Sequence, residues 1–108
     1  MKPDHNIFSM IGLATKAGKT TNGNFMTERA VKSGTAYLVI VSDEASDNTK
    51  KMFKNMCEYY KVPCFFFGTK EELGGAQGRE LRASLAITDP GFAKSLEKKL
   101  MNRSNMEV

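Results

Sequence analysis

The sequence predicts an α/β protein: a three-layer α/β/α sandwich around a small, mixed, four-stranded sheet. Three short apolar runs alternate with stretches in which apolar residues recur at helical spacing, an order typical of strand–helix–strand units. The runs are continuous, which indicates strands covered on both faces. The 108 residues predict a single domain, ordered over about residues 5–100 and followed by a frayed tail from about residue 101.

The first two predicted elements are helices. Apolar residues recur at helical spacing over residues 7–16, and Gly18 follows as a stop signal. A second helix begins near Asn22 or Asn24, both of which are suitable capping residues. The polar segment between the helices leaves room for a short edge strand near Thr20, which would be the fourth strand of the sheet.

The other three strands are predicted from the apolar runs at residues 36–41, 64–67 and 83–88. Two strand–helix–strand steps connect them, so right-handed crossovers are expected. Helices should then cover both faces of the second run. Its phenylalanines are therefore interpreted as core residues and not as an open surface on which RNA bases stack.

The remaining helices carry local start signals. Ser46 or Asp47 is suited to cap a third helix, which precedes the second apolar run. Thr69 and Glu72 have the spacing of a capping box, which predicts a short helix after that run. Pro90 directly follows an aspartate, and this pair predicts the start of the last helix.

Composition excludes several classes of function. The longest apolar run, around residues 64–67, is too short to cross a bilayer, which takes about 20 residues. Residues 1–6 are polar and resemble no secretory signal, so a cytoplasmic location without a membrane partner is expected. Cys57 and Cys64 are interpreted as reduced, buried thiols. With His5 as the single histidine, we expect no metal, no cofactor and no enzymatic activity.

The glycine-containing segment 12–20 has some likeness to a nucleotide-binding phosphate loop. The Walker pattern has four residues between its glycines, whereas five separate Gly12 from Gly18. The pattern also needs a preceding strand, and residues 7–16 predict a helix. These two departures disfavour an enzyme that hydrolyses a nucleotide.

Positive charge is concentrated in residues 1–35, where five basic residues against two acidic ones leave +3 of the overall net charge of +4. Four of these basic residues surround the start and the body of the second predicted helix: Lys16, Lys19, Arg29 and Lys32. The turn Asn22–Asn24 places backbone N–H groups at the positive end of that helix, where a phosphate group binds favourably. Gly23 lets the backbone of a partner approach closely. This pattern favours an RNA-binding protein.

A protein–protein adaptor is the alternative interpretation. Phe25 and Met26 occupy the first turn of the second predicted helix. If both side chains are exposed, they are apolar anchors of the kind that protein interfaces use. Their exposure is therefore the structural property that bears most directly on this alternative.

Motifs spread over about residues 5–100 are together distinctive, although each is short. They are Ile11–Lys19, Gly23, Arg29–Gly34, Leu38–Ile40, Asp43–Lys51, Cys57–Tyr60, Val62–Pro63, Glu71–Gly74 and Ala86–Asp89. In this order they resemble the kink-turn RNA-binding ribosomal-protein superfamily and, within it, the bacterial branch of YlxQ-type ribosome-associated proteins.

The resemblance implies a non-catalytic protein that binds sharply bent, structured RNA through two elements. These are the start of the second helix and the loop before the last strand. The candidate RNA-binding residues, from the charge pattern and the resemblance together, are Lys16, Lys19, Asn22, Gly23, Asn24, Phe25, Met26, Arg29, Lys32, Arg79, Glu80, Leu81 and Arg82.

The resemblance also implies partners and a mode of binding. Ribosomal RNA is the expected partner, with ribosomal or translation proteins nearby, and the chain is expected to be a monomer. RNA-binding members carry polar, base-contacting side chains at the positions of Phe25 and Met26. Readout of base edges is therefore expected to be weakened here, with recognition through the RNA backbone and shape.

Overall fold

The structure, a computed structural model, describes the backbone of residues 3–106 and the side chains of residues 5–103. In chain order its elements are α1 (Pro3–Lys16), α2 (Gly23–Lys32), β1 (Leu38–Val41), α3 (Asp47–Tyr60), β2 (Cys64–Phe66), α4 (Lys70–Ala76), β3 (Ser84–Ile87) and α5 (Pro90–Met106). The strands form one sheet in the order β2-β1-β3, in which β1 is parallel to β2 and antiparallel to β3. The predicted α/β class and the mixed sheet are confirmed.

The central strand β1 directs its side chains alternately into two apolar clusters. Leu38 and Ile40 pack with buried residues of α1, α4 and α5. Val39 and Val41 pack with buried residues of α2 and α3. Because both sets of side chains are fully buried, helices must lie on both faces of this strand.

The prediction of four strands is not confirmed, since the sheet in residues 3–106 has three. The segment expected to form the fourth contributes a single antiparallel bridge between Thr20 and Ile87. The backbone N–H of Thr21 donates to the Ala86 carbonyl at 3.0 Å, but the Ala86 N–H donates to the Thr21 side-chain hydroxyl at 2.9 Å. Because a hydroxyl replaces the backbone carbonyl in this second bond, the ladder ends there, and α2 begins at Gly23.

Strand β2 departs from the prediction in its burial. It forms an edge of the sheet and is paired only with β1 in the described part of the chain. Phe66 is 38% exposed and Cys64 is half-buried, although both were expected in the core, and Phe67 is buried just beyond the strand. The second strand–helix–strand step also differs, because β3 pairs with β1 in the antiparallel sense and not with β2.

Three local start signals are confirmed. Ser46, and not Asp47, holds the capping position of α3. Thr69 and Glu72 form the reciprocal capping box of α4, with hydrogen bonds of 3.0 Å and 2.9 Å. The Asp89 carboxylate accepts a hydrogen bond from a backbone N–H in the first turn of α5.

Several predicted boundaries shift. Helix α1 begins at Pro3 and therefore earlier than residue 7, whereas β1 and β3 are shorter than the apolar runs that contain them. Helix α5 continues to Met106, so residues 101–106 are helical where a frayed tail was predicted. The last two residues of that predicted tail lie outside the described part. None of the helices in residues 3–106 has the length and apolar character needed to cross a membrane.

Candidate nucleic-acid interface

Helix α2 begins with an amino end that its own side chains do not cap. Asn22 holds the N-cap position but makes no side-chain capping hydrogen bond, and the first turn contains no acidic residue. At Gly23, where φ is +82°, no atom lies within 4 Å of the position that a Cβ would occupy. The backbone N–H groups of this turn therefore keep their partial positive charge, which attracts an anionic group such as phosphate.

The first turn of α2 exposes two apolar side chains. Phe25 is 69% exposed and Met26 is 49% exposed. The buried side of the helix is formed instead by Thr27, Ala30 and Val31. Phe25 and Met26 are therefore available to a partner, as the adaptor alternative requires.

Arg29 lies one turn further along α2, on the side of Phe25. The central carbon of its guanidinium group is 5.8 Å from the centroid of the Phe25 ring, which is within the range of a cation–π contact. Arg29 is itself exposed. The outer surface of α2 thus combines an aromatic ring with a permanent positive charge.

Lys32, the last residue of α2, is already engaged within the helix. Its ammonium group donates a 2.9 Å hydrogen bond to the Glu28 carboxylate. This hydrogen bond and the negative charge of Glu28 raise the pKa of Lys32 above its usual value. An RNA phosphate at Lys32 must therefore compete with Glu28.

The loop between α4 and β3 exposes the second set of predicted residues. Arg79, Glu80 and Leu81 are exposed, with Leu81 at 59%, and Arg82 is half-buried. An open cavity of about 510 Å³ lies between this loop and α4 and is lined by Glu71, Gly75, Arg79, Glu80 and Leu81. The loop therefore offers apolar and charged groups around one concave surface.

This loop is held against α4 by backbone contacts. The N–H of Arg79 donates to the Gly74 carbonyl at 2.8 Å, and the N–H of Arg82 donates to the Lys70 carbonyl at 3.0 Å. Gly74 is buried, and a Cβ at this position would lie 2.6 Å from the carbonyl carbon of Glu80. The absence of a side chain at Gly74 is thus what allows the loop to pack so closely on the helix.

Two side-chain hydrogen bonds join the loop region to the start of α2. Arg82 Nε donates to Asn22 Oδ1 at 3.3 Å, and Ser84 Oγ donates to Asn24 Oδ1 at 2.6 Å. Each bond links residues that are 60 positions apart in the sequence. The fold therefore brings together the two elements that the sequence analysis predicted to act together, and we call this contact the Asn22–Arg82 junction.

A buried polar network behind the junction was not predicted from the sequence. Gln77 Nε2 donates to the Thr21 carbonyl at 2.7 Å and to Thr20 Oγ1 at 3.2 Å. The Thr21 hydroxyl lies 2.8 Å from that of Thr27, which in turn donates to the Gly23 carbonyl at 2.8 Å. In the sequence, Gln77 is the single glutamine and stands in a glycine-rich segment. Its neighbours in the sequence do not indicate which residues it contacts.

Gln77 retains one unsatisfied polar atom. Gln77 is 5% exposed, and its side-chain oxygen Oε1 has no hydrogen-bond partner within residues 5–103. A buried amide oxygen without a partner costs free energy, about 1–3 kcal/mol in proteins. The Gln77 amide nitrogen nevertheless ties the end of α4 to the segment that leads into α2.

Lys16 and Lys19 lie away from the Asn22–Arg82 junction. Both are exposed, and the Lys19 carbonyl accepts a hydrogen bond from the N–H of Thr88, at the far end of β3. A groove of about 330 Å³ runs between this segment and α2. It is lined by Thr21, Met26, Arg29, Ala30, Ser33, Thr35 and Thr88. Neither lysine is among the residues that line this groove.

The two cysteines lie next to each other as a pair of thiols. Cys57 is buried on α3 and Cys64 begins β2. A hydrogen bond between the two thiols, together with burial, raises the pKa of Cys64, so that this group stays protonated at neutral pH. Within the described residues, no three His, Cys, Asp or Glu side chains lie close enough to hold a metal ion.

Comparison with known proteins gives concordant results for most of the chain. A sequence model described as "Ribosomal protein L7Ae/L30e/S12e/Gadd45 family" matches residues 5–97. A protein of Bacillus subtilis (strain 168) named RNA-binding protein YlxQ is 37% identical over 89 residues, which cover 82% of this chain and 89% of that protein. A protein of the same name from Enterococcus faecium is 40% identical over 86 residues, covering 80% and 82% of the two chains.

Solved structures agree on the fold. A protein of unknown function from Bacillus halodurans C superposes with a TM-score of 0.86 at 32% identity, over 88% of this chain and 96% of that one. The Giardia lamblia 15.5kD RNA binding protein superposes with a TM-score of 0.79 at 20% identity, over 95% and 91% of the two chains. At that identity the second likeness is evidence for the fold alone.

Proposed function

Because the chain belongs to the ribosomal protein L7Ae/L30e/S12e/Gadd45 family, we propose that it is a non-catalytic RNA-binding protein. We propose that its RNA-binding surface consists of the start of α2 and the loop at residues 79–82. The observation that carries this proposal is the Asn22–Arg82 junction, which joins both elements beside an uncapped helix start. The names of the two bacterial relatives support an RNA partner.

The chemistry of this surface favours contacts with the RNA backbone. The N–H groups at the start of α2 and the guanidinium of Arg29 are donors that suit phosphate oxygens. Phe25 and Met26 have no polar side-chain atoms that hydrogen-bond base edges well. The protein therefore recognises structured, kink-turn-like RNA mainly by backbone position and shape.

The family description further motivates the choice of RNA. We propose that a segment of ribosomal RNA is the ligand, that the chain binds it as a monomer, and that binding occurs in the cytoplasm in association with ribosomes. Ribosomal or translation proteins are then its neighbours. In this role the protein supplies binding and shape selection, and no reaction step is assigned to it.

A titration with labelled RNA tests the proposal. Wild-type protein is titrated into a kink-turn RNA and a ribosomal RNA fragment at two salt concentrations. We expect binding that weakens with salt. In the double variant Arg29→Ala/Lys32→Ala the salt slope should fall in magnitude by about 0.7–0.9 for the lost Arg29 contact, and by a smaller amount for Lys32, which is paired with Glu28.

The matched control is Lys94→Ala/Lys98→Ala, which removes the same charge from exposed positions of α5. Helix α5 packs on the sheet face opposite to α2. The control should bind as wild type does. Wild-type binding no stronger than that of a neutral unrelated protein, or equal losses in both double variants, would contradict the proposal.

The exposure of Phe25 and Met26 favours a second candidate, a protein–protein adaptor that retains the fold. A pull-down from lysate distinguishes the two functions. If nuclease treatment removes all partners, the RNA proposal is supported. If one protein is still recovered in stoichiometric amount after nuclease treatment, and Phe25→Ala abolishes its recovery, the adaptor is favoured.

A further inference from the structure

We propose that Phe25 is a stacking platform for one unpaired nucleobase of the bound RNA, with Arg29 holding the phosphate of the same nucleotide. This inference rests on the proposed RNA-binding function and specifies how the site selects its ligand. Selection then depends on an unpaired base that is free to stack and much less on the identity of that base, because every base has a π-face.

The exposure of Phe25 is the first observation behind this inference. All seven phenylalanines of the chain lie among the residues with described side chains, and Phe25 is the most exposed of them at 69%. It lies off the buried side of α2, which Thr27, Ala30 and Val31 form. Its ring therefore adds little to the core and remains available to a flat ligand.

The position of Arg29 is the second observation. Its guanidinium lies 5.8 Å from the ring centroid, so one residue pair presents an aromatic face and a fixed cation side by side. In a nucleotide, a flat base and an anionic phosphate are joined through a single sugar. The pair thus matches both chemical groups of one nucleotide.

The charge around Phe25 distinguishes a nucleotide from an apolar protein segment. Four basic residues, Arg29, Lys32, Arg79 and Arg82, belong to α2 and the loop, against two acidic residues, Glu28 of α2 and Glu80 of the loop, and Glu28 is paired with Lys32. The first turn of α2 holds no acidic residue. An aromatic side chain within a cationic surface is the combination that binds unpaired nucleotides through stacking and phosphate contacts.

The test couples a protein variant to an RNA variant. Phe25→Ala is compared with wild type on a kink-turn RNA and on a series in which each unpaired nucleotide in turn is made abasic. We expect Phe25→Ala to weaken binding of the intact RNA by about fivefold to a hundredfold. One abasic position should weaken wild type by a similar factor and leave Phe25→Ala unaffected.

Tyr59→Ala is the matched control, because Tyr59 is a 78% exposed aromatic residue near the end of another helix, α3. It should bind as wild type does. Phe25→Trp supplies an independent readout, since the chain contains no tryptophan. Its fluorescence should be quenched by the intact RNA and much less by the RNA with the critical abasic position.

The outcomes separate this inference from the proposed function. If wild type fails to bind any of the RNAs, the proposed function itself is wrong. If wild type binds but Phe25→Ala binds within about twofold of it, or if no abasic position couples to Phe25, the stacking role is overturned while RNA binding stands. Loss of a protein partner in Phe25→Ala, with unchanged RNA affinity, also overturns it in favour of a protein interface.

Discussion

The side chain of Thr27 illustrates how single residues position the proposed site. It is fully buried, although it is polar, because its hydroxyl bonds the Gly23 carbonyl and the Thr21 hydroxyl, both at 2.8 Å. Thr21 in turn accepts the N–H of Ala86 on β3. These two hydroxyl groups therefore fix the first turn of α2 against the sheet. The position of this turn sets the direction in which its exposed residues point.

Thr27→Val should destabilise the protein. The substitution keeps the shape of the side chain but leaves the Thr21 hydroxyl and the Gly23 carbonyl without this partner, at a cost of about 1–2 kcal/mol. The free energy of unfolding, measured with urea, checks this value. Thr35→Val is the matched control: its hydroxyl also faces a backbone carbonyl, at 3.3 Å, but the residue is exposed, so a change within about 0.5 kcal/mol is expected. Equal losses in the two variants would contradict the role of burial.

At the scale of elements, helix α4 and the loop at residues 79–82 behave as one unit. The capping box starts the helix. The backbone N–H groups of Arg79 and Arg82 donate hydrogen bonds to backbone carbonyls of the same helix, which hold the loop against it. Gly74 and Gly75 are adjacent in this helix but have different surroundings. A Cβ at Gly74 meets the backbone of Glu80, whereas a Cβ at Gly75 has nothing within 4 Å.

This contrast predicts opposite effects for two neighbouring substitutions. Gly74→Ala should destabilise the protein and weaken RNA binding, because the added methyl group displaces the loop. Gly75→Ala should leave the loop in place and stabilise the helix by about 0.5–1 kcal/mol, since alanine favours helix formation over glycine. Urea unfolding and the RNA titration measure the two effects. If both variants bind RNA equally well, the loop is not part of the binding surface.

The local elements were largely predictable from the sequence. The capping box at Thr69 and Glu72 and the start signal at Asp89 depend on residues within a few positions of each other, so their chemistry can be read directly. The burial of β2 was mispredicted because an apolar run does not reveal whether its strand is central or at an edge. The predicted fourth strand does not form because the Ala86 N–H donates to the Thr21 hydroxyl in place of a backbone carbonyl.

At the scale of the whole molecule, the sheet separates two helical layers, and the proposed site occupies one limited part of the surface. The start of α2 and the loop at residues 79–82 meet at the Asn22–Arg82 junction. Lys94 and Lys98 project from α5, which packs on the other face of the sheet. We therefore expect RNA binding to depend on the position of the positive charge beside α2 more than on the modest net charge of +4.

This arrangement predicts a compact footprint for the RNA. Backbone amide signals of residues 22–26 and 79–84 should shift together in NMR spectra when RNA is added, since one ligand contacts both elements. Amide signals around Lys94 and Lys98 serve as the internal control and should stay unchanged. Shifts confined to α5, or to only one of the two elements, would contradict a shared binding surface.

The sequence by itself determined the α/β class and the order of helices and strands. It did so because helical spacing, apolar runs and capping signals act over a few neighbouring residues. Only the tertiary structure decided that Phe25 is exposed, that Gln77 is buried against Thr21, and that Asn22 meets Arg82. Those outcomes depend on which rotamers and which distant segments pack together, and residues 60 positions apart come into hydrogen-bonding distance only after the sheet has formed between them.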